Sequence, residues 1–405
     1  MQSKLKKIAL KDRLDREYLL EGSCGQPFSE FLLKNYIPQS SIILKVNGEI
    51  ADDQTYIIND RDEIDLKMVR AYQLPEYCQM LDIWKQTQSN KKDSIYTNKF
   101  LWFNDSGICD LKQANIPKEK YVAWLEDRFV ESIKMVNLIQ DGDPLCLPVS
   151  GGRDSLALLY LFERTKKRLP KFNFTCVTVS PTVAGVGDLK IATDAIESLG
   201  VKEYVILDGD YVKETMNLTS DFFAVMQQAL EKEGRGVTIS LWHIIMKACI
   251  EKFCRKNALQ KIAYGYQFED LLSSLLRSNL LGVSFGDSMY QKKWGDFNLI
   301  FPLWAISKKE LTIYLELVAP KHQTVQSNPT RYDRGDHNRD IHYFLADMMS
   351  TLYPGIGFSL FSAQQAFNQR YGIDSNNFYS CSNCQTIFTD FNEDSLLSED
   401  LCFAC

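Results

Sequence analysis

The residues best suited to chemistry are Pro148-Val-Ser-Gly-Gly-Arg-Asp-Ser155, which join an apolar strand-like run to the apolar helix-like run Leu156 to Glu163. Two adjacent glycines, Gly151 and Gly152, let the chain turn sharply and let an anion approach with no Cβ in the way. The backbone N–H groups that open the following helix, Arg153 among them, supply positive potential for a phosphate. Ser150 and Ser155 add hydroxyl donors, and Asp154 is placed to hold Mg²⁺ against a phosphate chain. No Gly-Lys-Ser/Thr closes the segment, so it is not a Walker loop. The chemistry implied is the gripping of a nucleotide's phosphates.

A second group lies at the other end of the sequence. Cys381-X₂-Cys384 and Cys402-X₂-Cys405 are separated by 17 residues, the spacing of a four-thiolate zinc ribbon. Each pair makes a tight knuckle whose sulfurs reach one tetrahedral Zn²⁺, which is worth ~10–16 kcal/mol in such peptides at neutral pH. The remaining cysteines read as core thiols. Cys249 and Cys254, five residues apart, share a helical face poorly. His243 reads as a packed core residue.

The elements that position these groups follow from hydrophobic pattern. From 141 to 325 apolar strands (144–149, 172–180, 203–207 and 261–266) alternate with helices, which predicts an α/β fold with a parallel sheet. Residues 76–140 read as a connector with helices over 118–139, and 326–405 as a helical tail ending in the cysteine pairs. Residues 1–75 read as a separate unit. It has strands at 7–10 and 18–21, a helix at 29–36, a strand from 41 that turns at Asn47-Gly48, and a closing strand with Ile64, Leu66 and Met68 on one face.

The loop resembles the Ser-Gly-Gly-X-Asp-Ser segment of the PP-loop ATP pyrophosphatases. That superfamily includes asparagine and GMP synthetases, tRNA lysidine and thiolation enzymes, and 7-cyano-7-deazaguanine synthase. Gly265-Tyr-Gln-Phe-Glu269-Asp270 resembles its Gly-His-X-X-Asp-Asp element, and Pro302-Leu303 through Ser307-Lys308-Lys309-Glu310 its Pro-Leu…Ser-Lys-X-Glu segment. The resemblance covers about 145–315. It implies ATP and Mg²⁺ as cofactors, Ser180 and Gly265 as further nucleotide-binding positions, and catalytic roles for Asp154, Asp270 and Lys308. The implied reaction is adenylation of a substrate oxygen with release of pyrophosphate. The stretch 33–72 resembles the β-grasp sulfur carriers of thiamine and molybdopterin synthesis. Where those end in a free Gly-Gly, this chain reads Val69-Arg-Ala-Tyr-Gln-Leu74 and continues, so the unit is expected to dock a partner instead of carrying sulfur.

The loop does not name the nucleophile. Cluster-bearing thiolases place a cysteine where this chain has Thr238-Ile-Ser-Leu-Trp-His243, and another where it has Ser327-Asn328-Pro329. Phe103-Asn-Asp-Ser-Gly107-Ile-Cys109 is similar to a segment of N-acetyl-sugar amidotransferases. Both features favour delivery of nitrogen to an adenylated carboxylate or carbonyl of a sugar or deazaguanine-type substrate. No glutaminase signature is visible, so ammonia is expected from solution or a partner. Two rival readings are a sulfurtransferase acting on tRNA or a small molecule and fed by a partner's thiocarboxylate, and a non-catalytic ATP-binding subunit. The loop 328–340, with Arg331, Arg334 and His337, is a candidate substrate contact.

Composition sets outer limits. The chain has 405 residues with 46 Lys+Arg against 52 Asp+Glu, a net charge of −6, so it lacks the basic excess of proteins that grip a nucleic-acid backbone broadly. No apolar run approaches the ~20 residues a membrane helix needs. A charged amino terminus and modest cysteine usage predict a cytoplasmic protein with reduced thiols.

Overall fold

The computed structural model describes residues 5–11, 17–35, 37–69, 94–103, 109–180, 188–219, 222–233, 235–280, 288–322, 337–352, 355–371 and 378–389. Its central feature is a six-stranded sheet built from β8 (Pro144–Pro148), β9 (Asn173–Val179), β10 (Tyr204–Leu207), β11 (Lys261–Ala263), β12 (Gln291–Trp294) and β13 (Phe297–Ile300). The strand order is β10-β9-β8-β11-β13-β12, parallel throughout except for the β13–β12 edge. β8 reads Pro-Leu-Cys-Leu-Pro, and its three middle residues are fully buried, as a strand covered on both faces requires. The chain leaves β8 toward β9 on one side and returns through β11 on the other. A crevice therefore opens at the carboxyl ends of β8 and β11, where the direction of winding reverses.

Helices cover both faces. On one face α2 (Lys118–Met135), α3 (Arg153–Thr165), α4 (Leu189–Ser198) and α9 (Lys308–Val318) share a core that includes Phe129, Leu158, Phe162, Ile196, Leu311 and Tyr314. On the other, α5 (Gly209–Met216), α6 (Phe222–Glu233) and α7 (Arg235–Lys256) enclose Trp242, Cys249, Ile250 and Cys254. His243, expected in the core, is exposed on α7 because its neighbour Trp242 takes the buried phase of that turn.

The amino-terminal residues form their own five-stranded sheet from β1 (Leu5–Lys11), β2 (Glu17–Ser23), β3 (Ile42–Val46), β4 (Glu49–Ala51) and β5 (Ile64–Met68). Its order is β2-β1-β5-β3-β4, with β1 and β5 parallel and α1 (Phe28–Lys34) between β2 and β3. Asn47 and Gly48 both have positive φ, 53° and 84°, at the tight turn joining β3 to β4. Ile64, Leu66 and Met68 are buried, as their alternation predicts. The connector holds more than helix: β6 (Ser94–Phe103) and β7 (Cys109–Pro117) pair as an antiparallel ribbon before α2. The aromatic and β-branched content of Ser94-Ile-Tyr-Thr-Asn-Lys-Phe-Leu-Trp-Phe103 carries that signal.

Beyond α9 come α10 (His337–Leu352), α11 (Ile356–Tyr371) and the hairpin β14 (Phe378–Ser380)–β15 (Ile387–Thr389). Glu251 of α7, itself buried, anchors this hairpin by accepting from Thr386 Oγ1 and Ile387 N, each at 2.9 Å. Glu251→Ala removes both acceptor contacts, each of the charged kind worth about 1.5–3 kcal/mol. Limited proteolysis is expected to cut that variant near 378–389 first, while the wild-type hairpin resists.

Candidate active site

The segment after β8 folds as its spacing predicts. Gly151 has φ +77°, and a Cβ there would run into the Asp188 carbonyl oxygen, so glycine is required on conformational and steric grounds alike. Asp188 N donates to Ser150 O at 2.8 Å, which lashes the start of α4 to the loop. Ser155 Oγ accepts from Ser150 N at 3.2 Å and donates to Gly152 O at 3.0 Å, while Gly152 N donates to Ser150 Oγ at 3.3 Å. Gly152 caps α3 without a side-chain acceptor, which leaves the first N–H groups of that helix to an incoming anion.

Gly265, two residues past β11, lies across the crevice. A Cβ there would sit 3.1 Å from the Asp154 carbonyl and from Ser155 N, so the strand end passes flush against the loop's backbone. Gln267 is fully buried. Its Oε1 accepts from Glu269 N at 2.7 Å, and its Nε2 donor has no hydrogen-bond partner among the described residues. Ser180 closes β9 and gives its N–H to Leu207 O at 2.7 Å, so its backbone donor belongs to the sheet.

The third wall is the start of α9. Ser307 and Glu310 form a reciprocal capping box there, Glu310 N donating to Ser307 Oγ and Ser307 N to Glu310 Oε2. Glu310 also takes a buried ion pair from Arg128 of α2. Lys308 N donates to Glu269 Oε2 at 2.9 Å, and Lys308 Nζ bonds the Asp154 carboxylate. A cation thus already sits on the carboxylate expected to hold Mg²⁺.

Two expected roles change. Arg153 is buried with its guanidinium bonded to Thr312 Oγ1 at 2.8 Å, so its side chain ties α3 to α9 and only its backbone is left for a phosphate. Asp270 accepts from Gln267 N and from Tyr343 OH of α10 at 2.7 Å, which holds it as a structural cap. Its neighbour Glu269, one helical step away, is the acidic residue of this turn that reaches α9, through the Lys308 backbone N–H. Cys381 and Cys384 are buried in one knuckle, where Gln385 N donates to Cys381 O at 2.9 Å. Cys402 and Cys405, and with them the completed four-thiolate set, lie outside the described residues, as do Arg331 and Arg334.

The parallel strands are ordered 3-2-1-4-5, and the Ser-Gly-Gly-X-Asp-Ser turn sits at the switch point, the placement that the resemblance to the PP-loop ATP pyrophosphatases implies. No family model matches the chain. It is 26% identical over 187 residues to the tRNA-cytidine(32) 2-sulfurtransferase of Delftia acidovorans, a match covering 44% of this chain and 55% of that protein. With the enzyme of the same name from Colwellia psychrerythraea, identity is 26% over 258 residues, 61% of this chain and 74% of that one. The chain therefore matches about half to three-quarters of these relatives' length. Among solved structures, the U34-tRNA thiolase NcsA from Methanococcus maripaludis with its [4Fe-4S] cluster superposes with a TM-score of 0.50 at 17% identity, covering 73% of this chain and 91% of that one.

These relatives correct the expectation of nitrogen transfer. They are named for moving sulfur onto tRNA, a nucleic-acid substrate that the charge balance of this chain does not favour. Missing cysteines at two thiolase positions bear on one route of sulfur delivery and leave the nucleophile open.

Proposed function

We propose that this chain is an ATP-dependent enzyme that transfers sulfur to a base of tRNA. The observation that carries the reading is the Ser150–Ser155 turn, packed on Gly265 and facing Lys308, in a chain whose curated relatives are tRNA sulfurtransferases. ATP's phosphates lie along the loop's N–H groups. The carbonyl oxygen of the target base attacks the α-phosphorus, and the bond to pyrophosphate breaks. The adenylated carbon is then open to a sulfur nucleophile. A new C–S bond forms and the C–O bond breaks, with AMP leaving. Positioning and charge neutralisation account for most of the catalysis.

Asp154 is the residue that would hold Mg²⁺, which supplies charge neutralisation along the phosphates; the ammonium of Lys308 on its carboxylate supports that fit. As pyrophosphate departs, Lys308 balances the charge that develops on it.

The sulfur comes from outside the chain. Burial pushes the thiols of Cys176 and Cys249 up to about 12, and a hydrogen bond with Cys254 together with burial raises that of Cys146 well above the usual thiol range, so these are poor nucleophiles at neutral pH. A thiocarboxylate on a partner protein suits the need. Its sulfur attacks the adenylated carbon, and water then cleaves the acyl–sulfur bond, returning a carboxylate. The amino-terminal five-stranded sheet, read as a β-grasp unit, is the docking module in this reading, and its mixed order with α1 between β2 and β3 supports it. This reading divides the chain into segments 1–75, 76–140, 141–325 and 326–405, and Cys381, Cys384, Cys402 and Cys405 are the residues that would hold Zn²⁺, which would supply a structural cross-link for the last segment. Cys381 and Cys384 suit that ion as a buried two-thiol knuckle.

Nucleoside analysis by mass spectrometry of tRNA from cells lacking the gene, complemented with wild type or Asp154→Ala, tests the reading. A thionucleoside restored by wild type alone is the expected result. Identical nucleoside profiles in all strains contradict it.

A further inference from the structure

The strand end that carries Gly265 also carries an exposed aromatic ring. Tyr266 is 51% exposed, although it stands one residue from the backbone that touches Asp154. Its ring stacks on Tyr264 at 5.7 Å between centroids and 19° between planes, and on Phe301 at 5.6 Å and 22°. Tyr264 and Phe301 are cross-strand neighbours, since Ala263 pairs with Ile300 and Tyr264 N bonds Ile300 O at 2.9 Å. The two rings fix the plane of the third while half its surface stays open to solvent.

The backbone beneath is equally fixed. Gln267 bridges Leu303, Phe268 N donates to Ile306 O at 3.0 Å, and Gln267 Oε1 holds Glu269 N. An aromatic ring exposed to water yet locked in orientation is pre-organised to receive a flat partner at little entropic cost. Every nucleobase has such a face, and stacking on a protein aromatic is worth about 1–3 kcal/mol per base. With a net charge of −6, this chain cannot rely on general attraction to phosphates, so short-range stacking has more to supply.

We infer that Tyr266 is the platform on which the target base of the RNA stacks, which brings its carbonyl oxygen to the mouth of the phosphate loop. The inference rests on the tRNA reading above. In the Gly-His-X-X-Asp-Asp element that this segment resembles, tyrosine takes the place of histidine, which enlarges the face offered to a base. Tyr266 acts through positioning, and the Asp154 and Lys308 end of the site does the chemistry.

The test compares wild type, Tyr266→Phe and Tyr266→Leu for binding of unfractionated tRNA and, on the same samples, of ATP. Leucine keeps apolar bulk without a π face, and phenylalanine keeps the face. Tyr266→Leu is expected to weaken tRNA binding about tenfold or more, with Tyr266→Phe close to wild type and ATP affinity unaltered in both. Equal tRNA affinity in Tyr266→Leu and wild type overturns the inference and leaves the tRNA reading standing. A loss confined to ATP assigns the ring to adenine and overturns it as well. Failure of wild type to bind tRNA overturns the tRNA reading, and the platform with it.

Discussion

Gly151→Ala is expected to abolish nucleotide binding and reduce pyrophosphate release at least ~100-fold, the order of loss that follows removal of a single pre-organised donor in other enzymes. The glycine sits at φ +77°, where an L side chain costs roughly 1–2 kcal/mol. Its missing Cβ is also the space filled by the Asp188 carbonyl, part of the backbone that opens α4. Alanine forces the loop or α4 to move, and the ring of N–H groups loses its shape. Titration calorimetry with ATP reads the binding, and circular dichroism checks that the sheet persists. A Gly151→Ala variant that binds ATP as wild type does removes the steric argument.

A second large effect is expected where α9 meets the amino-terminal sheet. Lys309 of α9 pairs with Asp53 of the amino-terminal sheet, both buried, and Gln39 Nε2 donates to Asp53 at 3.0 Å. Lys309→Met leaves the Asp53 carboxylate buried without its cation, a change that costs about 3–5 kcal/mol when one member of such a pair is removed. Burial raises the affinity of Asp53 for its proton, and Lys309 works against that rise. A carboxyl whose folded-state pKa lies above its unfolded value contributes stability at low pH that is lost as pH rises through the folded value. The Lys309→Met variant is therefore expected to unfold much more readily than wild type at neutral pH, and the gap to narrow as acid protonates Asp53. Urea unfolding at several pH values checks this, and Asp53→Asn/Lys309→Met should recover part of the neutral-pH loss. Lys309 follows Lys308 directly, so the variant also frees the helix start that presents Lys308 to Asp154. Reduced pyrophosphate release alongside reduced stability is the expected signature.

Local spacing made the phosphate loop and the strands around it legible. Strand, turn and helix are contiguous in Pro144–Thr165, and two glycines with a following helix dictate their own geometry. The Asn47-Gly48 turn and the alternating β5 were readable for the same reason. Contacts between distant residues were not. Asp53 and Lys309 are 256 positions apart, and nothing in either neighbourhood announces the other. Arg153 illustrates the limit within the loop itself, because helix phase turns its side chain to Thr312 while its backbone stays with the turn. Phase also decides between Glu269 and Asp270, since a single residue rotates a side chain by about 100° around a helix. The identity of the nucleophile lay beyond the loop's reach, because phosphate-gripping residues activate an oxygen whatever displaces it.

The most direct test of the account follows ATP labelled separately on the α- and γ-phosphates through incubation with the protein, Mg²⁺ and tRNA. Cleavage between the α- and β-phosphates, seen as labelled AMP and labelled pyrophosphate that both disappear with Asp154→Ala, is the predicted result. Labelled ADP with free phosphate, or turnover that Asp154→Ala leaves intact, contradicts it.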